Sequence, residues 1–112
     1  MANYNYIKLV TEVKENGEVE TKTYLTQGFI PFRLLYEATD IMAGLEEKSE
    51  MEAMEIMLDF VVRIYNGQFT KDELLDGLES GKAVEEIQSQ IEFIASGEVA
   101  KEKQAELKKL LK

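Results

Sequence analysis

The sequence predicts an α+β fold in which an N-terminal β-hairpin packs with three to four α-helices, helix predominating. Three observations predict it. Apolar and polar residues alternate with period 2 on both sides of an Asn16-Gly17 turn. Beyond Pro31, apolar residues recur at three- and four-residue spacing in successive runs. Two of those runs are preceded by Ser49 and Thr70, each with a Glu three residues on, the capping-box pattern of a helix start. A length of 112 residues fits one domain on a prior of roughly 100–200 residues. The expected division is an α+β domain over 1–97 and a helix-prone charged tail over 98–112.

The hairpin should occupy 4–14 and 18–27. A three-residue loop with Gly17 left-handed pairs Val13 with Val19, Thr11 with Thr21, Leu9 with Thr23 and Ile7 with Leu25. All eight then share one face, opposite a charged one; a two-residue loop would mix the faces. Pro31 suits the first turn of a helix over 31–46, where its missing N–H costs nothing. Leu34, Leu35, Ala38, Ile41, Met42 and Leu45 form its stripe, and Phe32 and Tyr36 lie off it. A second helix, 50–65, is apolar around most of its circumference, with Glu52, Glu55, Asp59 and Arg63 in one polar wedge. Such a helix sits centrally in its fold. Asn66-Gly67 should cap it. A short third helix follows Thr70 and contains Gly77, which weakens a helix interior. The fourth, 82–95, carries Val84, Ile87, Ile91 and Ile94 on one stripe, with Phe93 pointing away near Glu86. The tail has only Leu107, Leu110 and Leu111 as anchors, so alone it should fray.

The chemistry available is narrow. The chain has no Cys and no His, so disulfides, thiolates, Cys-based zinc sites and the commonest general base are excluded. No phosphate-cradling glycine motif and no Ca²⁺-loop spacing occurs, and no cofactor or metal is expected. The carboxylate pairs Asp72/Asp76 and Glu52/Glu55 read as solvated helix faces. No apolar run approaches the ~18 residues of a membrane helix, and the start lacks the pattern of a signal peptide, so a soluble cytoplasmic protein is expected. Net charge is −9. It concentrates in 34–97, where fifteen acids face four bases, while 98–112 carries three acids and five Lys. That balance argues against a nucleic-acid backbone as partner, which needs clustered Lys and Arg.

What remains is surface for protein partners. Phe32 and Tyr36 on the first helix and Phe93 on the fourth fall off the stripes that the core requires, which makes them the candidate partner-binding residues. The alternative for each is burial in a second layer. Met42, Met51, Met54 and Met57 supply flexible thioethers that suit adaptable surfaces, although they lie on the main stripes where core packing uses them.

Residues about 4–97 carry a resemblance in the order of their elements. The Tyr6-Ile7-Lys8-Leu9-Val10 strand and Asn16-Gly17 turn lead to Gly28-Phe29-Ile30-Pro31-Phe32-Arg33. The acidic Met51-to-Tyr65 helix with Phe60-Val61-Val62 follows, then Gln68-Phe69-Thr70 before Leu74-Leu75-Asp76-Gly77-Leu78. So arranged, the chain resembles the small tail assembly chaperones of long-tailed (siphovirus-type) bacteriophages of Gram-positive bacteria. The resemblance implies a non-enzymatic protein of the infected host cytoplasm, absent from the mature virion. Its partner would be the tape measure protein, held soluble while the tail tube forms, with tail tube subunits and a second copy of the chain as further candidates. Many members also have a longer form made by programmed ribosomal frameshifting, and this chain would be the short one. The family supplies no universal binding residues, so the site rests on Phe32, Tyr36 and Phe93. Two other classes stay open: an acidic inhibitor that mimics nucleic acid, and a small structural or adaptor subunit of a phage particle.

Overall fold

The hairpin is built from its turn outward. Lys14 N–H donates to the Glu18 carbonyl (2.8 Å) and Gly17 N–H to the Lys14 carbonyl (2.9 Å), and Gly17 is left-handed at φ 88°. This is the expected three-residue loop, and it sets Val13 against Val19 in strands β1 (Tyr6–Val13) and β2 (Val19–Leu25). The computed structural model describes residues 4–99 and 101–111. Within them β1 and β2 form a two-stranded antiparallel sheet, followed by five helices.

Further from the turn the register departs from expectation. Ile7 lies opposite Tyr24, not Leu25, and Leu9 opposite Lys22, not Thr23, because an irregularity between Val10 and Glu12 leaves Thr11 as an extra residue. Thr11 is not paired with Thr21; Val10 is. The cause is a conflict of two demands. The turn requires Val13 against Val19, whereas the core requires Ile7, Leu9 and the large Tyr24 ring on one face, and all three are buried. The two registers differ by one residue, and a bulge absorbs it. Val13, Val19, Thr21 and Thr23 are thereby turned away from the core.

Helix α1 (Phe32–Gly44) starts one residue later than expected, with Pro31 extended at its N-cap, and a 3-10 turn at Leu45–Glu47 continues it. Helix α2 (Glu50–Ile64) is capped by the Ser49 hydroxyl, which accepts from Glu52 N–H at 3.2 Å. It ends on left-handed Asn66 and Gly67, Gly67 N–H reaching back to the Val62 carbonyl. Leu58, Phe60, Val61, Ile64 and the following Tyr65 are buried, while Glu52, Glu55, Asp59 and Arg63 are exposed, so α2 is the centre of the core. Met54 is half-buried. Phe69 joins the layers: its ring centroid lies 5.0 Å from Tyr24 and 5.3 Å from Tyr65.

Helix α3 (Lys71–Gly77) carries the reciprocal capping box, Glu73 N–H to Thr70 Oγ1 at 3.1 Å and Thr70 N–H to Glu73 Oε1 at 2.9 Å. Its final glycine has a packing reason. A Cβ on Gly77 would stand 2.8 Å from Leu9 Cβ and 3.2 Å from the Val10 carbonyl oxygen, so α3 can close on β1 only through glycine. Gly77→Ala should lower stability by about 1–3 kcal/mol, the usual range for overpacking, despite alanine's better helix propensity. Urea denaturation reads it, and a stabilised variant would show that this contact yields easily.

Helix α4 (Ala83–Ser96) packs on α2 and α1 and stops at left-handed Gly97. It is buried on two sides. Ile87, Ile91 and Ile94 form the expected stripe, but Gln90 and Phe93 are buried as well, and Val84 is exposed. Gln90 organises a polar cluster at the foot of the sheet. Its Oε1 accepts from Tyr65 OH (2.7 Å) and Asn5 Nδ2 (3.3 Å). Its Nε2 donates to the Tyr6 carbonyl and Glu86 Oε2, both at 2.9 Å. Burial, reinforced by the Glu86 charge, pushes the Tyr65 phenol far above its ordinary value, so it remains a donor.

The tail forms helix α5 (Lys101–Leu110) and is not left alone. Lys103 Nζ donates to Glu86 Oε2 (2.6 Å) and the Tyr6 carbonyl (2.8 Å) and lies 4.8 Å from the Tyr6 ring centroid. Leu107 is buried, and Lys8 pairs with Glu106 at 2.7 Å. Hydrogen bonds from Lys8 and Tyr6 hold the Glu106 carboxyl below the usual carboxylate range. A single buried leucine is thus supplemented by a lysine that fits a ready-made acceptor pair.

Candidate functional site

Gly28 and Pro31 bracket the connector between β2 and α1. Neither strand nor helix periodicity claims the residues between them, so Phe29 has no apolar stripe to join. It is 78% exposed. Pro31 then launches α1 with Phe32 as its first helical residue, and Tyr36 follows one turn later on the same face. The opposite side of α1 meets α4 and α2, with Ala38 buried and Leu34, Leu35, Ile41 and Leu45 half-buried. Phe32 and Tyr36 are therefore left 75% and 68% exposed, as their off-stripe positions predict. Met42 departs from its expected stripe and is exposed as well.

Phe93 is different. It is only 1% exposed and belongs to the core, so it is not an open surface group. The physical reason is that α4 packs against both α1 and α2, so side chains outside its isoleucine stripe are enclosed as well. A groove of about 520 Å³ nevertheless brings Phe32 and Phe93 together: Phe29 and Phe32 stand at its rim, with Phe93, Ile94 and Leu35 also lining it. Tyr36 does not line this groove; it extends the aromatic face along α1. On the other side of the connector, a groove of about 420 Å³ runs between α1 and α2, and Phe29, Ile30 and Pro31 line both. Its far wall carries the Arg63–Glu37 ion pair at 2.6 Å. Phe29 is thus a central member that periodicity could not assign. The available signal was its character: a large apolar side chain in a connector, between a strand-breaking glycine and a helix-starting proline.

The methionines divide. Met57 is buried and Met54 half-buried, whereas Met42 and Met51 are exposed. The acidic wedge of α2 is partly neutralised by Lys71, whose Nζ lies 2.6 Å from Glu55 and 3.4 Å from Asp59. The Glu55 hydrogen bond holds that ammonium above its ordinary value against desolvation, with Asp59 adding to it. Among the described residues, no three carboxylates converge as metal ligands, and no helix is long and apolar enough to cross a membrane.

No curated protein and no solved structure matches the chain. A family model described as phage tail chaperone protein matches residues 5–110, from the polar cluster at Asn5 to the end of α5. The chain belongs to the phage tail chaperone protein family.

Proposed function

We propose that this chaperone binds an apolar helical segment of the tape measure protein and keeps it dispersed while the tail tube assembles around it, without catalysing a reaction. The supporting observation is the exposure of Phe29, Phe32 and Tyr36 within eight residues of chain, beside a groove with an apolar floor. Large apolar groups gathered on a surface mark interaction sites. A helix seated in such a groove would contact the rim aromatics, and aromatic anchors carry a disproportionate share of interface energy. The net charge of −9 keeps the loaded complex apart from its neighbours. The work would be done in the host cytoplasm, before the particle is complete, with tail tube subunits meeting the same complex.

Co-expression with the tape measure protein tests this. The wild-type chain should keep that protein in the soluble fraction. Phe32→Ala with Tyr36→Ala should fail to do so while retaining the wild-type circular dichroism spectrum, because both side chains are exposed. Phe93→Ala is the wrong probe, since it opens a cavity in the core. Full solubilisation by the double variant would remove this surface from the function. Failure of the wild type to bind would remove the tape measure protein as partner. Binding through apolar surface also predicts weak salt dependence, whereas a steep loss with salt would favour the acidic-mimic reading.

A further inference from the structure

The two edges of the hairpin are not equivalent. Thr26 N–H donates to the Asn5 carbonyl (3.0 Å), and Lys14 N–H donates to the Glu18 carbonyl (2.8 Å), marking hydrogen-bonded positions at both ends of the ladder. Alternation from those ends turns the backbone groups of Glu20, Lys22 and Tyr24 toward β1 and those of Val19, Thr21, Thr23 and Leu25 away from it. Side-chain contacts agree: Thr11 Oγ1 reaches the Glu20 carbonyl from the β1 side, and Gln68 Nε2 reaches the Leu25 carbonyl from outside. On the outer side of β1, α3 closes against Val10 through Gly77. On the outer side of β2, no hydrogen bond from the described residues reaches Val19, Thr21 or Thr23. Residues 11–22 are all exposed, so no helix covers this half of the hairpin. An open edge of this kind is a template for another strand, and two strands by themselves are marginal.

We propose that this edge pairs antiparallel with the same edge of a second copy, about a two-fold axis through Thr21, joining two hairpins into one four-stranded sheet. Charge selects the register. Outward-facing residues must meet outward-facing residues, which leaves five symmetric choices along Val19–Thr23. Centring on Glu20 opposes Glu20 to Glu20, and centring on Lys22 opposes Lys22 to Lys22. Centring on Val19 opposes Glu20 to Glu18. Centring on Thr23 would need the Leu25 carbonyl that Gln68 already holds. Centring on Thr21 places Glu20 of each copy against Lys22 of the other, twice, at the narrow positions where side chains approach most closely. On the other sheet face it sets Thr21 against Thr21 and Val19 against Thr23, a continuous row of β-branched residues. The interface is independent of the aromatic groove, so a dimer can carry two of them.

Sedimentation equilibrium on the full chain should show a concentration-dependent dimer. Lys22→Glu and Glu20→Lys each place like charges opposite at two positions and should each raise the dimer dissociation constant about tenfold or more. Mixing the two variants should restore wild-type affinity as a heterodimer. The chain lacks cysteine, so Thr21→Cys should form a disulfide-linked dimer on mild oxidation, the axis bringing the two Cα atoms to about 5.5 Å. Val19→Cys, whose partner is Thr23, should not. A chain that stays monomeric up to millimolar concentration, a dimer indifferent to the charge variants, or equal cross-linking through Val19→Cys would each overturn the proposal.

Discussion

Gln90→Leu should cost about 2–6 kcal/mol of unfolding free energy, because two buried donors lose their acceptor and each stranded group costs about 1–3 kcal/mol. Those donors are Tyr65 OH and Asn5 Nδ2. The Tyr6 carbonyl and Glu86 suffer less, since Lys103 still reaches both. Leucine is about one methylene larger than glutamine and has no polar atom, so the loss reads chiefly the missing hydrogen bonds, with a smaller packing contribution. Urea denaturation measures it, with two-state behaviour expected for a chain this size. A second step makes the test specific. In the Gln90→Leu background, Tyr65→Phe removes one stranded hydroxyl and should cost less than it does in the wild type, a coupling of about 0.5–3 kcal/mol. Strict additivity would mean that Tyr65 and Gln90 do not act as a pair. A loss below about 1 kcal/mol for Gln90→Leu would mean that water replaces the amide at the foot of the sheet.

Leu58→Ala should cost about 2–5 kcal/mol, the range for deleting a buried leucine side chain and leaving its cavity. Leu58 is buried on α2, the helix that packs against α1, α3 and α4. Glu92→Gln, on the exposed side of α4 and away from any helix cap, should stay within about 0.5 kcal/mol, the scale of an ordinary surface change. If Leu58→Ala fell to that scale too, α2 would not be the centre of the core.

The features legible in the sequence were those whose causes are local. Gly17 needs only the four residues around it to make its turn. Ser49 and Thr70 cap helices with an atom three residues away. The side of α1 that carries Phe32 and Tyr36 follows from helical geometry and the positions of Leu34, Leu35 and Ala38. Phe29 was legible only as an unassigned apolar residue, because a connector has no period to betray its direction.

The sequence by itself therefore determined the elements, their caps, the centrality of α2 and the two exposed aromatics of α1. Only the tertiary structure decided which of two consistent patterns would yield where they collided. The Thr11 bulge arises because the turn and the core ask for registers one residue apart, and Tyr24 entered the core in place of Leu25. Phe93 and Gln90 became buried because α4 is covered on two sides, a condition set by α1, α2 and β1 and not by the α4 stripe. Helix α5 docks because Glu86 and the Tyr6 carbonyl, seventeen and ninety-seven residues from Lys103, converge to receive its ammonium. Burial and hydrogen bonding depend on what stands opposite in space, and a pattern within one segment records only that segment's half of each contact.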